Sequence, residues 1–231
     1  MAEDYVVPLA NQLNVLNRYP DMPYLPLFPL QLVVYPGESL NLHIFEPRYR
    51  QLIADAEAHG TRFGVPTVIE GELKPLATEV ELYEVTRRYD SGESDVKTRG
   101  GRIFRIEHFD RESPDRLYPG GVVSYLEDPL GEDRDMNREI VKLTRWIYRQ
   151  LNIDREVRPA DQGFTTYEIA HYVGLSLEQE YELLSLTQPM ARQEYLLTHL
   201  RTIRPQVGDP LGIKARARLN GHFKDLKPPD F

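Results

Sequence analysis

The chain has 231 residues, enough for one large domain or two small ones, each with a buried core. Its 36 acidic and 28 basic residues give a net charge of −8, which disfavours general nucleic-acid binding because that binding depends on neutralising phosphates. The absence of cysteine excludes disulfides, thiolate metal ligands and thiol nucleophiles. We find no signal-like start and no apolar run of roughly 18 residues, so we expect a cytoplasmic protein without a membrane partner.

The first predicted strands follow an extension over residues 1–22 that has no sustained periodicity. Prolines hold Tyr24–Leu30 extended, because each proline fixes its own φ and biases the preceding residue away from the helix. Leu32–Tyr35 is apolar and leads into a turn at Pro36–Gly37. Ser39–Phe45 is predicted as the next strand.

A helix is predicted directly after this strand. Pro47 suits its first position, where a missing N–H costs nothing, and Gly60 can adopt the left-handed conformation that ends it. One face carries an apolar stripe at helical spacing, made of Tyr49, Leu52, Ile53 and Ala56.

Four further strands are predicted, over Arg62–Ile69, around Val80–Val85, over Asp95–Phe109 and over Gly121–Glu127. The alternation of apolar and polar residues slips by one position at Glu84, which predicts a β-bulge. Gly100 and Gly101 interrupt the longest strand and predict a bend there. We assign residues 23–128 to one β domain.

Beyond Pro129 the apolar period changes from about 2 to about 3.6, which predicts a helical domain over residues 129–204. The signals are an apolar face from Met136 to Leu151, a polar linker over residues 154–163, capping boxes starting at Thr165 and Ser176, and a last helix opened by Pro189. The tail over residues 205–231 is rich in proline, glycine and charge, so we expect it to be loosely ordered.

The motifs of the β part resemble the N-terminal, substrate-binding domain family of Lon proteases. The resemblance begins with LPLFPL at Leu25–Leu30 and VVYPG at Val33–Gly37. A sharper match is LHIFEPRYR at Leu42–Arg50, which resembles free-standing bacterial members and the eukaryotic branch that joins this domain to RING fingers. FGV at Phe63–Val65 and GGRIFRI at Gly100–Ile106 follow in the family's order and spacing.

These motifs cover roughly residues 24–127, and the later helices fit the family's C-terminal unit more loosely. The resemblance implies an α+β protein, a twisted six-stranded β pseudo-barrel (PUA-like) with one helix, followed by a C-terminal helical bundle. It also implies a free-standing, non-catalytic module that binds protein substrates. Ala77 and Ile103 depart from the usual glycine and arginine of the family, and both concern local strand geometry.

The ATPase and Ser/Lys protease modules of Lon are not expected in this chain. It has no G-x-x-x-x-G-K-[ST] loop, and Gly100–Gly101 leads into a strand. None of the six histidines lies at i, i+3 or i, i+4 from another or in an H-E-x-x-H motif, and no serine lies in a G-x-S-x-G motif. We therefore expect no enzyme activity, no metal and no cofactor.

The first candidate for binding protein segments is the junction of strand and helix. Glu46, Arg48 and Tyr49 would present a charged pair and a phenol to a peptide. The alternative is structural: Glu46 caps the helix, Pro47 starts it, Arg48 pairs with a neighbouring acid and Tyr49 packs in the core.

The second candidate is an aromatic group along the proline-rich segment. Tyr24, Phe28 and Tyr35, with Leu27, would form an exposed apolar patch of the kind that captures unfolded segments. The alternative is ordinary packing inside the barrel.

The leading functional prediction is a module that binds unfolded or extended protein segments and passes them to a protease or chaperone. Alternatives are a structural or regulatory protein that docks a folded partner, and an unrecognised hydrolase. A remote alternative is DNA binding through residues 165–186, where Ile169–Ser176 resembles the start of a helix-turn-helix. Six acids against three bases between Asp161 and Arg204 oppose it, and no nucleic-acid partner is expected. The basic residues of the tail are expected to be solvated.

Overall fold

The computed structural model describes residues 19–127 and 131–203. Within them the strands are β1 (Tyr24–Pro26), β2 (Ser39–Ile44), β3 (Phe63–Ile69), β4 (Glu72–Arg88), β5 (Ser94–Asp110) and β6 (Gly120–Tyr125). The helices are α1 (Pro47–His59), α2 (Arg134–Leu151), α3 (Leu177–Ser185) and α4 (Pro189–Ile203), with 3₁₀ turns at Ala160–Gln162 and Thr166–Tyr172. We call residues 24–127 the β unit and residues 131–203 the helical unit. Residues 1–18, most of the predicted extension, and the tail from Pro205 lie outside the described residues.

The β unit is an antiparallel sheet closed by its own N-terminal segment. The strand order is β1-β6-β5-β4-β3, and β2 pairs with the first half of β5. After β1 the chain crosses to β3, where the N–H of Phe28 donates to the carbonyl of Gly64 at 2.8 Å and that of Leu30 to Pro66 at 3.0 Å. The segment thus bridges β6 and β3, which gives the six-stranded pseudo-barrel that the family resemblance implied.

Two predicted irregularities of the long strands are confirmed. The pairing of β4 with β5 shifts register at Leu82/Glu84, where the alternation slips in the sequence. A second shift lies opposite Gly101, and a Cβ added to Gly100 would stand 2.1 Å from the carbonyl oxygen of Tyr35. Only glycine therefore allows the turn after Tyr35 to contact β5 this closely.

Two strand boundaries differ from the prediction. β4 begins at Glu72 rather than near Val80, because Glu70 (φ 52°) and Gly71 (φ 80°) form a two-residue left-handed turn of the kind that pairs hairpin strands. Leu32–Tyr35 forms no strand, although its four side chains are buried. A buried segment without strand pairing is as apolar as a buried strand, so composition does not distinguish the two.

The helices follow their sequence signals. The buried residues of α1 are those of the predicted apolar stripe, and Gly60 ends the helix with φ 65°. Asp133 caps α2 by accepting from the N–H groups of Asp135 and Met136. Ser176 and Gln179 form the predicted capping box of α3, while the segment after Thr165 is a 3₁₀ helix. None of the helices in the described part of the chain combines the length and apolar character that a membrane span needs.

The two units share a hydrophobic core. The apolar cluster of the helical unit also contains Val33, Tyr35 and Ile103, which belong to the β unit. A separate cluster around Phe28, Tyr49 and other residues of the barrel packs beneath α1. The contact between the units is therefore partly an internal core rather than a simple surface contact.

Candidate functional site

The strand-to-helix junction carries an ion pair between two of its own residues, Glu46 and Arg48. Glu46 has an extended backbone before Pro47, and its side chain makes no capping hydrogen bond to α1. Instead it accepts from Nε of Arg48 at 2.9 Å, and Nη2 of Arg48 also lies at 2.9 Å. Each of these two side chains is 23% exposed, so solvent reaches the pair.

Tyr49 of the junction and Phe28 of the proline-rich segment are both buried, so Phe28 is not part of an exposed apolar patch. The rings of Phe28 and Tyr49 stack with centroids 4.0 Å apart, and each residue is at most 3% exposed. Tyr49 is one of the four buried residues of α1, as its place in the apolar stripe indicates. These two rings contribute to the core that orients the junction.

Tyr24 and Tyr35 lie in two other environments. The hydroxyl of Tyr24 donates to Asp110 at 3.1 Å, and partial burial raises the pKa of this tyrosine. Tyr35 is fully buried between the units, where its hydroxyl donates to the carbonyl of Glu180 at 2.9 Å. The structure thus pairs Glu46 with Arg48, stacks Phe28 on Tyr49, and places Tyr24 and Tyr35 elsewhere. Which of the six contact a substrate stays a prediction.

A cleft of about 790 Å³ lies where the two units meet. The β unit contributes the Pro36–Ser39 turn and Arg99, and the helical unit contributes Arg155–Arg158 and the aromatic side chains of Tyr167 and Tyr172. Its volume falls within the range of pockets that hold ligands, roughly 300–1,000 Å³. Junctions between packed units are frequent locations for such pockets.

A buried histidine between two carboxylates forms one end of the cleft. Nδ1 of His171 lies 2.9 Å from Oε1 of Glu180, and Nε2 lies 3.2 Å from Glu38, which follows the turn of the β unit. Burial alone would lower the pKa of His171, but the two carboxylates outweigh it and raise the pKa to about 10. The protonated imidazole donates one hydrogen bond to Glu180 of the helical unit and one to Glu38 of the β unit.

A second charged group, formed by Glu132 and Arg192, also lines the cleft. Glu132 accepts from the backbone N–H of Thr166 at 3.0 Å and lies 4.0 Å from Nη2 of Arg192. Nη1 of Arg192 donates to the carbonyls of Leu186 and Thr187, and its guanidinium lies 4.6 Å from the ring centroid of Tyr167. These bonds fix the charged side chains in place, so the cleft presents a rigid polar frame.

The cleft combines groups that suit a polypeptide. Arg99 and Arg155 are exposed and can donate to main-chain carbonyls or carboxylates. Arg158 is also exposed but lies 3.3 Å from Glu168 in an ion pair. The guanidinium of Arg155 lies 3.4 Å from the ring centroid of Tyr172, which creates a flat surface for apolar side chains. Among residues 19–127 and 131–203, no three histidine, aspartate or glutamate side chains are grouped as a metal site requires.

The sequence carries no local pattern that predicts this cleft. Its histidine contacts carboxylates 9 and 133 residues away, separations at which neither helical nor strand periodicity applies. The one available signal is the position of His171 in the apolar run after Ile169.

The comparisons with known proteins agree on one family. A family model of the ATP-dependent protease La (LON) substrate-binding domain matches residues 24–202. The crystal structure of a Lon N-terminal domain protein from Xanthomonas campestris has 30% sequence identity and a TM-score of 0.60, covering 77% of this chain and 98% of its own. The N-terminal domain of the Mycobacterium avium complex Lon protease shares the fold, with 18% identity, a TM-score of 0.53 and coverage of 78% and 98%. No curated protein sequence matches.

The family model spans well over half of the chain, and the six-stranded antiparallel sheet with its helices has the fold of the Lon N-terminal domains. The chain therefore belongs to the family of Lon substrate-binding domains.

Proposed function

We propose that this protein is a non-catalytic binding module that recognises unfolded or extended protein segments and holds them in the cleft between its two units. The observation that carries the proposal is the cleft itself, about 790 Å³ in volume and lined by charged and aromatic side chains from both units. A pocket that is both polar and apolar suits a polypeptide, which alternates main-chain amides with side chains of every kind.

The family supports protein segments as the ligand class, since its description is the substrate-binding domain of an ATP-dependent protease. We place the protein in the cytoplasm as an adaptor that passes bound segments to a protease or chaperone. The alternative role is docking of a folded partner, which predicts binding to native protein surfaces. The experiment below distinguishes this role from the binding of unfolded segments.

The junction pair is a second proposed contact. Glu46 and Arg48 lie on the surface of the β unit and offer both charges to a passing segment. The buried rings of Phe28 and Tyr49 hold α1 and thereby the pair, and Tyr35 holds the helical unit against the turn that lines the cleft.

The test is binding of an unfolded protein, reduced and alkylated with a neutral reagent, measured by fluorescence anisotropy. Arg99→Ala and Arg155→Ala remove exposed groups of the cleft from opposite units, and each is expected to weaken binding about 5- to 30-fold. Arg111→Ala, an exposed arginine of the β unit that does not line the cleft, is the matched control.

Thermal melts of each variant separate binding from folding. Wild-type affinity in both cleft variants, with unchanged melting temperatures, would remove the cleft from the proposal. Equal competition by the native form of the same test protein would favour the folded-partner role.

The non-catalytic part of the proposal has its own assay. Purified protein is expected neither to hydrolyse ATP nor to degrade casein, because the sequence has no phosphate-binding loop of the Walker type. Saturable turnover that follows the protein through several columns would contradict it.

DNA binding is not proposed. α3 would be the recognition helix of the remote alternative, yet it carries Glu178, Glu180 and Glu182 and neither lysine nor arginine. Its charge would repel phosphates.

A further inference from the structure

One face of α2 carries a row of basic side chains. Arg138, Lys142, Arg145 and Arg149 are separated by four, three and four residues, so they lie on the same side of the helix. All four residues are exposed. Together with the turn at Pro159–Asp161 they line a surface groove of about 390 Å³, which we call the α2 groove.

The α2 groove is positive on a chain whose net charge is −8. Its four cations face two carboxylates, Asp161 in the opposite wall and Asp135, which pairs with Arg138. The remaining ion pair of α2 within the described residues joins Glu139 to Arg201. Lys142, Arg145 and Arg149 therefore supply the positive charge that the groove offers to a ligand.

The opposite wall of the groove is fixed to the helix. Nη2 of Arg145 donates to the carbonyl of Val157 at 2.7 Å, and the side chain of Val157 is buried at 3% exposure. The turn that follows is thus anchored two residues before Pro159. This hydrogen bond holds the opposite wall of the groove against the helix.

The α2 groove continues the cleft between the units. Ala160 and Asp161 line both of them, so a segment leaving the cleft can pass directly over this turn. The row from Arg138 to Arg149 spans about 16 Å, since an α-helix rises 1.5 Å per residue. That length matches about five residues of extended polypeptide.

We infer that the α2 groove binds a short run of acidic residues next to the part of a protein segment that occupies the cleft. The inference rests on the proposed function and names its preferred substrate class, segments with a local cluster of aspartate or glutamate. A polypeptide fits better than a nucleic acid, because Asp161 and the negative charge of the rest of the chain would repel a long run of phosphates.

Three peptides with one neutral, aromatic-containing core test the inference. One is the core alone, one adds about four glutamates and one adds about four lysines. In extended conformation, the added residues fit within the length of the groove. At low salt the glutamate peptide is expected to bind about tenfold more tightly than the core, and most of this gain should disappear at about 300 mM salt through screening.

Charge reversal locates the gain. Lys142→Glu should abolish the advantage of the glutamate peptide, because Asp161 and the introduced carboxylate then balance Arg145 and Arg149. Binding of the core peptide should stay at the wild-type level, which an unfolded variant cannot show. Arg111→Glu changes the net charge by the same amount outside the groove and should leave the glutamate advantage within about twofold of wild type. Lys142→Ala, which leaves Arg145 and Arg149 in the groove, should reduce the glutamate advantage by less than Lys142→Glu does.

The outcomes separate this inference from the proposed function. Binding of the core peptide without any glutamate gain, or equal losses in Lys142→Glu and Arg111→Glu, would overturn the inference and leave the cleft intact. Failure of the core peptide to bind would count against the cleft, whereas glutamate-dependent binding that Lys142→Glu removes would still support the groove. Tighter binding of a polyphosphate or oligonucleotide of equal charge, also lost in Lys142→Glu, would overturn the assignment to polypeptide.

Discussion

The two units bury charge in different ways. In the β unit the buried carboxylate of Glu79 pairs with Arg62 and Arg102, whose side chains are 47% and 59% exposed. In the helical unit both partners are buried, since His171 and Glu180 are at most 4% exposed. An ion pair inside a protein is costly to desolvate and favours only the arrangement in which it is fully paired. The pairing of His171 with Glu38 of the β unit therefore adds a buried charged contact to the apolar core that the two units share.

The sharpest test of this division is a change in the core that the units share. Ile103→Ala, on β5, is expected to destabilise the protein by about 2–5 kcal/mol, because it removes fully buried methylenes. Fluorescence of Trp146, the single tryptophan, which packs against the same cluster, should report the loss together with far-UV circular dichroism. Coincident urea transitions are expected from both signals.

Separate transitions would show instead that the β unit and the helical unit unfold independently, as two domains. Tyr83→Ala, at a side chain that is 76% exposed on β4, is the control and should change the stability by less than about 0.5 kcal/mol.

The buried charges are tested by His171→Gln. Loss of the cation leaves Glu38 and Glu180 facing each other, and breaking a buried pair in this way costs about 3 kcal/mol or more. The double variant with Glu180→Gln should recover part of the loss, because one of the uncompensated charges is then removed. A double variant no more stable than the single one would contradict the assigned pairing.

The pH dependence of stability carries a smaller, graded effect. The folded pKa of His171, about 10, lies above the ordinary value of 6.5, so the native state holds its proton more tightly. The stabilisation is complete below pH 6.5 and declines until it is lost near pH 10. Urea midpoints measured between pH 6.5 and 9.5 should fall in the wild type, and this decline should be much shallower in His171→Gln.

Tyr35, whose ring centroid lies 4.9 Å from that of His171, does not ionise in this pH interval. Burial raises the pKa of Tyr35 well above 10, so its ionisation affects stability only at higher pH. An identical slope in wild type and His171→Gln would show that other groups cause the decline.

The smallest expected effect on stability belongs to the junction of the β unit. Arg48→Ala breaks an accessible pair with Glu46 and should cost less than about 1 kcal/mol. Affinity for the unfolded test protein should fall measurably if the junction is a contact. A large fall in melting temperature with unchanged affinity would instead show that Arg48 stabilises the fold, as His171 and Glu180 do in the helical unit, and does not contact the ligand.

Most of the fold can be predicted because its signals are local. The stripe of α1, the slip at Glu84 and the capping box at Ser176 each depend on neighbours within a few residues. The sequence pattern places the start of β4 too late, because Glu70 stands in a left-handed turn position that asparagine, aspartate or glycine usually marks.

The candidate site is harder to predict for the same reason. Its residue type and the neighbouring turn make Tyr35 a candidate contact, but they do not indicate whether its ring faces solvent or a second unit. The pairing of Glu38 with His171 depends on how the units dock, which no sequence spacing records. The basic row of α2 does have helical spacing, yet the wall that makes it a groove comes from the turn at residues 159–161.

The segment Tyr24–Leu30, which closes the barrel, can complete its pairing only late in synthesis. Tyr24 leaves the ribosome early, but its partner Val122 in β6 follows almost a hundred residues later. Before β6 emerges, Leu27 and Leu30 can pair with β3, but β1 still lacks its partner strand. Contacts between such distant residues slow folding, and an unpaired strand edge invites association with other chains. We therefore expect the nascent chain to expose an unpaired strand edge until β6 has emerged.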